Sequence, residues 1–592
     1  VSEHDTLIER LAERVGIASH YSDQNGQRIE TPLKARCRVL EGLGFSTDTE
    51  EGLRAAIAEV DALRHGVIAP LISVEADVAA EIAVKASGPV AWTLTDEAGQ
   101  QQTGRGEGGT LSLPALPLGY HRLAVAAGDT RAEATIISAP LRCWAPDDME
   151  AGRRDWGVTA QVYGLSSPHN LGIGDYTDIA EAALGAGALG ANFLGLSPLH
   201  ALFASDRGKI SPYSPSSRLF LESLYLDPTA IDGFAGSAAE DLTRTEEFQS
   251  RLESLRSGVL VDHAGVWELK RPLLDALFAD FRKRGGSSAF DAFCREGGEA
   301  LDAHALFEAM SESFKAEGRN WPGEWPDAYR QPGSDAVIAF RRDHAEMVAF
   351  HAWLQWQCDL QLAAAAKAAT DAGMTIGLYR DLAVGGDRGG SEFWSNPERF
   401  SQTLSIGAPP DPLGPEGQNW GLPPFDPLAL ERQGLAAFRA LVAANMRHAG
   451  AIRIDHAFQL QRLFLIPEGG TGADGAYVAY PFEAMLAVLR LESHRHGCLV
   501  IAEDLGTGPD GFSDAIMEAG LLSYRVLFFE REGEGGFKAP QSYPRDALSV
   551  FTTHDLPTLR GWWRGLDIDL RQTLGVFDAE TSERERVNRT GE

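Results

Sequence analysis

The sequence predicts an α/β protein: a TIM-like (β/α)8 barrel with a helical insertion after its second strand, preceded by a helical segment and a small β-sandwich. Three observations predict it. From about residue 154 short apolar segments alternate with longer helical ones, the rhythm of βα units and a parallel sheet. Most of those segments carry polar residues at or just after their C-terminal ends, where barrel proteins place their chemistry. The 592 residues also exceed what one ordinary domain needs, so two or three are expected.

Taken in order, residues 1–65 read as helical, with Leu7, Leu11 and Val15 at helical spacing and a second helix around 31–43. Residues 66–145 change character. The segments at 67–74, 81–86, 90–96, 121–127 and 133–139 are short, β-prone and separated by Gly-rich turns, which predicts the accessory β-sandwich. Residues 150–592 form the predicted catalytic unit. Its strands are expected at 156–163, 192–199, 374–384, 450–458, 498–505, 524–529 and 548–555, with the helical insertion over 200–373. Within that insertion Phe350, Trp353 and Trp356 lie at helical spacing and are expected in a core. An eighth strand is missing: after Asp555 only 37 residues remain, and they end charged, so the chain is expected to be truncated at its C-terminus.

Composition narrows the function classes. Hydrophobic residues make up 44% and charged residues 23%, ordinary values for a globular protein. Acidic residues outnumber basic ones by 84 to 53. A surface that negative repels phosphate backbones and anionic lipid, so neither nucleic acid nor membrane is an expected partner. No apolar run approaches the roughly 18 residues of a span. Five scattered cysteines without a CxxC pair indicate neither a zinc site nor a disulfide framework, and with no targeting segment they predict a cytoplasmic protein. No HExxH cluster is present, and no metal or cofactor is expected.

The strand ends carry the chemistry. The third ends in Arg380-Asp381, the fourth in Arg453-Ile454-Asp455-His456, the fifth in Glu503-Asp504 and the seventh in His554-Asp555. Several carboxylates at one mouth raise one another's pKa, an arrangement a structural core avoids. Cleavage of a glycosidic bond requires it: one carboxylate attacks the anomeric carbon while a second, held protonated, donates to the leaving oxygen. Alternate strand residues share a face, so Arg453 can pair with Asp455 and keep it ionised.

The segments YRDLAVG, GAIRIDHAF, IAEDLG and FTTHDLPT are similar to the four short signature regions of the α-amylase clan. More specifically, GAPPDPLGPEGQNWGLPPFDP (407–427) resembles the long loop peculiar to the amylomaltase family of 4-α-glucanotransferases. SPYSPSSRLFLESLYLD (211–227) and LSSPHNLGIGDYTDI (165–179) resemble that family too, and the helical and β-rich N-terminus resembles its extended bacterial branch. The resemblance implies Asp455 as nucleophile, Glu503 as general acid and then base, and Asp555 as the residue that holds sugar hydroxyls in the distorted transition state. It implies sugar contacts for His456 and His554 and a supporting place for Asp381.

Transfer beats hydrolysis only when water is excluded while an acceptor is bound. The 407–427 loop is suited to cover the mouth: Trp420 and Phe425 offer sugar-packing faces, and Asp411, Gln418 and Asn419 offer hydrogen bonds. Where many relatives carry an aromatic pair this loop has Pro412 and Leu413, and Tyr213 is a candidate replacement face. The expected activity is retaining transfer of an α-1,4-glucan segment to the 4-hydroxyl of another glucan or of glucose, with α-1,4-glucans and maltooligosaccharides as partners. A retaining α-glucan hydrolase, a branching enzyme and an inactive glucan-binding fragment are the alternatives.

Overall fold

The computed structural model describes every residue except 1, 24–25, 151, 411–415, 534–535 and 592. Three helices open the chain: α1 (Glu3–Val15), α2 (Leu33–Gly42) and α3 (Glu50–His65). The hydroxyl of Ser2 accepts the Asp5 N–H while the Asp5 carboxylate accepts the Ser2 N–H, so α1 starts on a capping box. It stops at Gly16, whose φ of 95° is the left-handed conformation glycine adopts freely. The stripe Leu7, Leu11 and Val15 is buried in a core shared with the catalytic unit.

Five strands follow: β1 (Leu71–Glu75), β2 (Ala80–Thr95), β3 (Gln101–Leu113), β4 (Gly119–Ala127) and β5 (Thr130–Ala139). They hydrogen-bond as a single sheet in the order β1-β5-β4-β2-β3. The two strands expected at 81–86 and 90–96 are one, β2, which changes register between Val84 and Pro89; Ile82 and Val84 before the break join Val90 and Leu94 after it in one apolar cluster. Short polar links bind this sheet and α3 to the rest. The Tyr120 hydroxyl donates to Glu492 at 2.8 Å, and Arg64 grips both oxygens of Glu431 at 2.7 and 3.0 Å.

The unit expected to be catalytic is built on β6 (Gly157–Ala160), β7 (Phe193–Leu196), β8 (Gly377–Leu382), β9 (Ala451–Ile454) and β10 (Leu499–Ala502), five parallel strands side by side in chain order. A parallel bridge from Ile501 to Leu522 leads on to the parallel pair β11 (Ser523–Val526) and β12 (Ala547–Val550). Each strand is shorter than the segment that predicts it, because the chain coils after its C-terminal end; Val162–Gly164 and Leu527–Phe529 are 3-10 turns. Among the described residues no strand pairs with the outer edge of β6 or of β12.

Helices α4 (Tyr176–Ala188), α5 (His263–Lys283), α6 (Ser288–Ala316), α7 (Ala345–Asp371), α8 (Ala436–Met446) and α9 (Phe482–His496) cover the sheet and build the insertion. The insertion begins with an antiparallel pair, His200–Ala201 with Ser217–Leu221, before it turns helical. Phe350 and Trp353 are buried in it as expected, and Trp356 packs at the margin of the same core. Among the described residues no helix is long and apolar enough to cross a membrane.

Side-chain period two explains the layering. The parallel registers align Tyr379 with Ala451 and Leu499, and two residues on they align Asp381 with Arg453 and Ile501. Tyr379, Ala451, Leu499, Ile501, Tyr524 and Val526 fill the inner face as a buried cluster. Ile452, Ile454, Val500 and Ala502 point the other way, into the core beneath the helices. The inner face thus changes from apolar to charged at its C-terminal rim.

Candidate active site

At that rim the parallel ladder runs past the strands. The Asp455 N–H donates to Leu382 O at 3.0 Å, and the Glu503 N–H donates to Ile454 O at 3.1 Å. Backbone bonds therefore hold both carboxylates in register. Arg453 lies between them and β8: one guanidinium nitrogen, Nη1, donates to Asp455 Oδ1 and to Asp381 Oδ1, both at 2.8 Å. Asp381 is completed by the Tyr213 hydroxyl, which donates to Oδ2 at 2.6 Å. Burial pushes the Asp381 carboxyl above its ordinary range, against the pull of the Arg453 charge. Arg380, its neighbour in sequence, points to the opposite face and donates to Ala444 O and Arg447 O, so it is no part of the site.

Glu503 is buried, and both its oxygens are held from the backbone. The His456 N–H donates to Oε2 at 2.8 Å and the Leu505 N–H to Oε1 at 3.0 Å. Burial raises its pKa to about 7; Arg453 lowers it and the negative charge of Asp455 adds to the rise. An acid that keeps its proton near neutrality thus stands beside an arginine-paired carboxylate. This is the combination that retaining glycosidic cleavage needs. His456 has a left-handed backbone (φ 47°), and burial pushes its imidazole pKa below the ordinary range, against the pull of Asp455.

The remaining predicted residues take two kinds of position. His554 enters the cluster, its imidazole stacked on the Tyr213 ring with centroids 3.9 Å apart. That stack covers one face of Tyr213, and the hydroxyl is taken by Asp381, so the ring is a brace between segments before it is a free stacking surface. Asp555 stays outside the buried cluster. Its side chain is 78% exposed and its carboxylate meets His554 Nε2 at 3.2 Å, because residues 552–555 have left the strand and form a turn.

Part of the 407–427 loop is held in an antiparallel sheet rather than free: Leu404–Ala408 pairs with Arg462–Pro467 on one side and with Gln418–Asn419 on the other. The Trp420 N–H donates to Ile406 O, its indole N–H donates to Gln418 Oε1 at 3.0 Å, and its ring meets the His456 ring edge-on at 5.2 Å. The loop therefore reaches the residue next to Asp455. Asn419 Oδ1 accepts the Gly421 N–H. Phe425, expected to offer a face, instead stacks on Phe400 at 4.7 Å and lies under the Arg218 guanidinium, which makes it a packing residue. Asp411, Pro412 and Leu413 lie outside the described residues.

Several supports carry no signal in the sequence. Arg218 forms a buried ion pair with Glu392 at 2.6 Å and donates to Val384 O at 2.8 Å, while His200 Nε2 accepts the Ala383 N–H; together they brace the chain leaving β8. Asp504 accepts from Arg525 and from the Tyr524 N–H, tying β10 to β11. Tyr524 lies beside the site under the Arg453 guanidinium, at 5.3 Å, and burial pushes its pKa up to about 12. Gln459 donates to Asp455 O at 2.6 Å. Apart from Gln459, four residues from Asp455, their partners are remote in sequence.

Known proteins resemble this chain over most of its length. Residues 160–591 match the family described as 4-alpha-glucanotransferase, and residues 67–140 match the MalQ N-terminal beta sandwich domain. A 4-alpha-glucanotransferase of Haemophilus influenzae is 38% identical over 485 residues, 79% of this chain and 69% of the relative. One of Mycobacterium tuberculosis is 36% identical over an alignment of 613 residues, 97% of this chain and 82% of the relative. Among solved structures, the amylomaltase from Corynebacterium glutamicum has a TM-score of 0.82 at 28% identity, over 98% of this chain and 84% of that one. The amylomaltase from Streptococcus agalactiae in complex with acarbose shares the fold, with a TM-score of 0.59 at 22% identity, over 70% and 81% of the two chains.

Proposed function

The chain belongs to the 4-alpha-glucanotransferase family, and we propose for its site a retaining double displacement carried by Asp455, Glu503 and Asp555. The enzyme transfers a segment of an α-1,4-glucan to the 4-hydroxyl of an acceptor glucan or of glucose. In the first step an oxygen of Asp455 attacks the anomeric carbon while Glu503 gives its proton to the departing glycosidic oxygen. A glucosyl ester on Asp455 results, with inverted configuration. In the second step the acceptor 4-hydroxyl attacks that carbon, Glu503 takes the hydroxyl proton, and Asp455 leaves as a carboxylate. Two inversions restore the α linkage.

The observation that carries this reading is the buried Glu503 carboxyl, its pKa pushed up to about 7 by burial, beside the Arg453–Asp455 ion pair. It supplies a proton donor and a nucleophile at one pH. Asp555 is read as the residue that closes on the sugar hydroxyls when substrate is bound; its exposed position at the rim, beside His554, supports this. Trp420 and Gln418 are read as contacts that keep acceptor in and water out, supported by the indole edge against His456. His456, His554, Tyr213 and Asp381 complete the cleavage subsite.

We read the seven parallel strands as most of a (β/α)8 barrel, with edges on β6 and β12 that none of the described strands pairs. Val158, 44% exposed, and Phe551, 63% exposed, support this reading, since a closing βα unit would cover them. The five cysteines are free thiols, three of them buried, which supports the cytoplasm as the compartment. The test of function is product analysis on maltotriose. Glucose together with a ladder of longer maltooligosaccharides supports transfer; glucose and maltose without longer products would make the enzyme a hydrolase and refute the role of the 407–427 loop.

A further inference from the structure

A second cluster of ligand-type side chains lies away from the carboxylates just described. His169 stands in the loop between β6 and α4, Asp178 in the first turn of α4 and Glu181 one turn later on the same helix. Their ligand atoms all lie within 4.8 Å of one another. Asp178 and Glu181 are three apart on the helix, where like charges meet and repel. A cluster of that kind on a surface is common and by itself says little.

What distinguishes it is the state of Asp178. Its side chain is 3% exposed. Oδ2 is fully engaged, accepting the Asn170 side-chain N–H and the Asp175 backbone N–H, both at 3.0 Å. Oδ1 is buried with no hydrogen-bond partner, and it is the oxygen turned toward His169. A buried anionic oxygen without a partner costs free energy unless a positive charge answers it. His169 Nε2 is 3.6 Å from Oδ1 and 3.5 Å from Glu181 Oε1, too far for hydrogen bonds to either.

Those separations have another meaning. Around a tetrahedral ion with bonds of about 2.0–2.2 Å, ligand atoms sit roughly 3.3–3.6 Å apart. One imidazole and two carboxylates are a donor set that zinc accepts, with water in a fourth position, whereas calcium takes six or more oxygens. We propose that His169 Nε2, Asp178 Oδ1 and Glu181 Oε1 form a zinc-binding site that fastens the β6–α4 loop to helix α4. The hydrogen bonds of Asn170 and Asp175 to Oδ2 are the outer contacts that aim Oδ1 at the ion. The same loop is held from the insertion, since Arg256 donates to Asn170 O at 2.6 Å, so the ion would stiffen a junction between the two. It takes no part in glucan transfer.

The test is zinc titration of the full chain after chelator treatment, read by calorimetry and by melting temperature. His169→Ala and Glu181→Gln are the variants, both at partly exposed positions; Asp178 is left intact because it also caps α4. The expected result is one equivalent of zinc bound with a raised melting temperature, and an affinity at least about tenfold weaker in each variant. Their transfer activity on maltotriose should be unchanged. Absence of binding at about 100 μM zinc, a free energy weaker than about 5.5 kcal/mol, would reduce the cluster to an ion pair. Equal affinity in the wild type and both variants would put any bound zinc elsewhere, and either result overturns the proposal.

Discussion

The rings of Tyr213 and His554 are stacked, 3.9 Å between centroids and 13° from coplanar. They join the segment after β7 to the turn after β12, and the Tyr213 hydroxyl carries the connection on to Asp381 and Arg453. Tyr213→Phe keeps the stack and removes only the hydrogen bond. A bond to a charged partner contributes about 1.5–3 kcal/mol to stability, so the melting temperature should fall, and kcat/KM on maltotriose should fall with it as Asp381 and Arg453 lose their brace. A loss of stability without a loss of rate would mean the hydroxyl serves the fold alone.

Glu503 links activity and stability to pH. Its pKa is raised from 4.5 to about 7 in the folded state, so the unfolded chain gives up this proton first. The stabilising contribution is full below pH 4.5 and is lost as pH rises through about 7. Glu503→Gln cannot ionise. Its stability relative to the wild type should increase by an order of 2–3 kcal/mol between those pH values, measured by urea denaturation. In the wild type kcat/KM should decline above about pH 7 as the acid loses its proton.

Arg453 holds a buried carboxyl group, Asp381, and a part-buried one, Asp455, with one nitrogen. Arg453→Met leaves Asp381 without its cation and should cost about 3–5 kcal/mol of stability along with the activity. Adding Asp381→Asn should restore much of the stability and none of the activity. Additive losses in the double variant would show that the two residues are not coupled.

Trp420 separates transfer from hydrolysis. Trp420→Ala should lower kcat/KM about three- to tenfold, the scale of one aromatic contact, and raise the share of new reducing sugar among the products. An unchanged product ratio would leave the indole a pin for its own loop, through its hydrogen bond to Gln418.

Local rules made part of this legible. Period two along a strand puts Arg453 and Asp455 on one face, and they do form an ion pair. The same rule sends Arg380 away from Asp381, which adjacency in the sequence conceals. The pairing of Asp381 with Arg453 depends on parallel register, and the Tyr213–His554 stack on closure of distant segments, so neither had a local signal. The accessory β domain was readable only in part: 81–86 and 90–96 join into one strand across the register break at KASGP, a stretch that reads only as a turn, and Gln101–Leu113, rich in Gly, did not read as a strand. His169, Asp178 and Glu181 follow no short metal motif, and only the unpartnered Asp178 oxygen draws attention to them.

The central claim is that Asp455 carries the glucosyl group, and trapping tests it most directly. Glu503→Gln treated with α-glucosyl fluoride, whose leaving group needs no acid, should form the ester and release it slowly for want of a base. Mass spectrometry of the digested enzyme should then find one glucosyl unit on the peptide that contains Asp455, and none when Asp455→Asn is added. A glucosyl unit on another residue, or an active Asp455→Asn enzyme, would contradict the account.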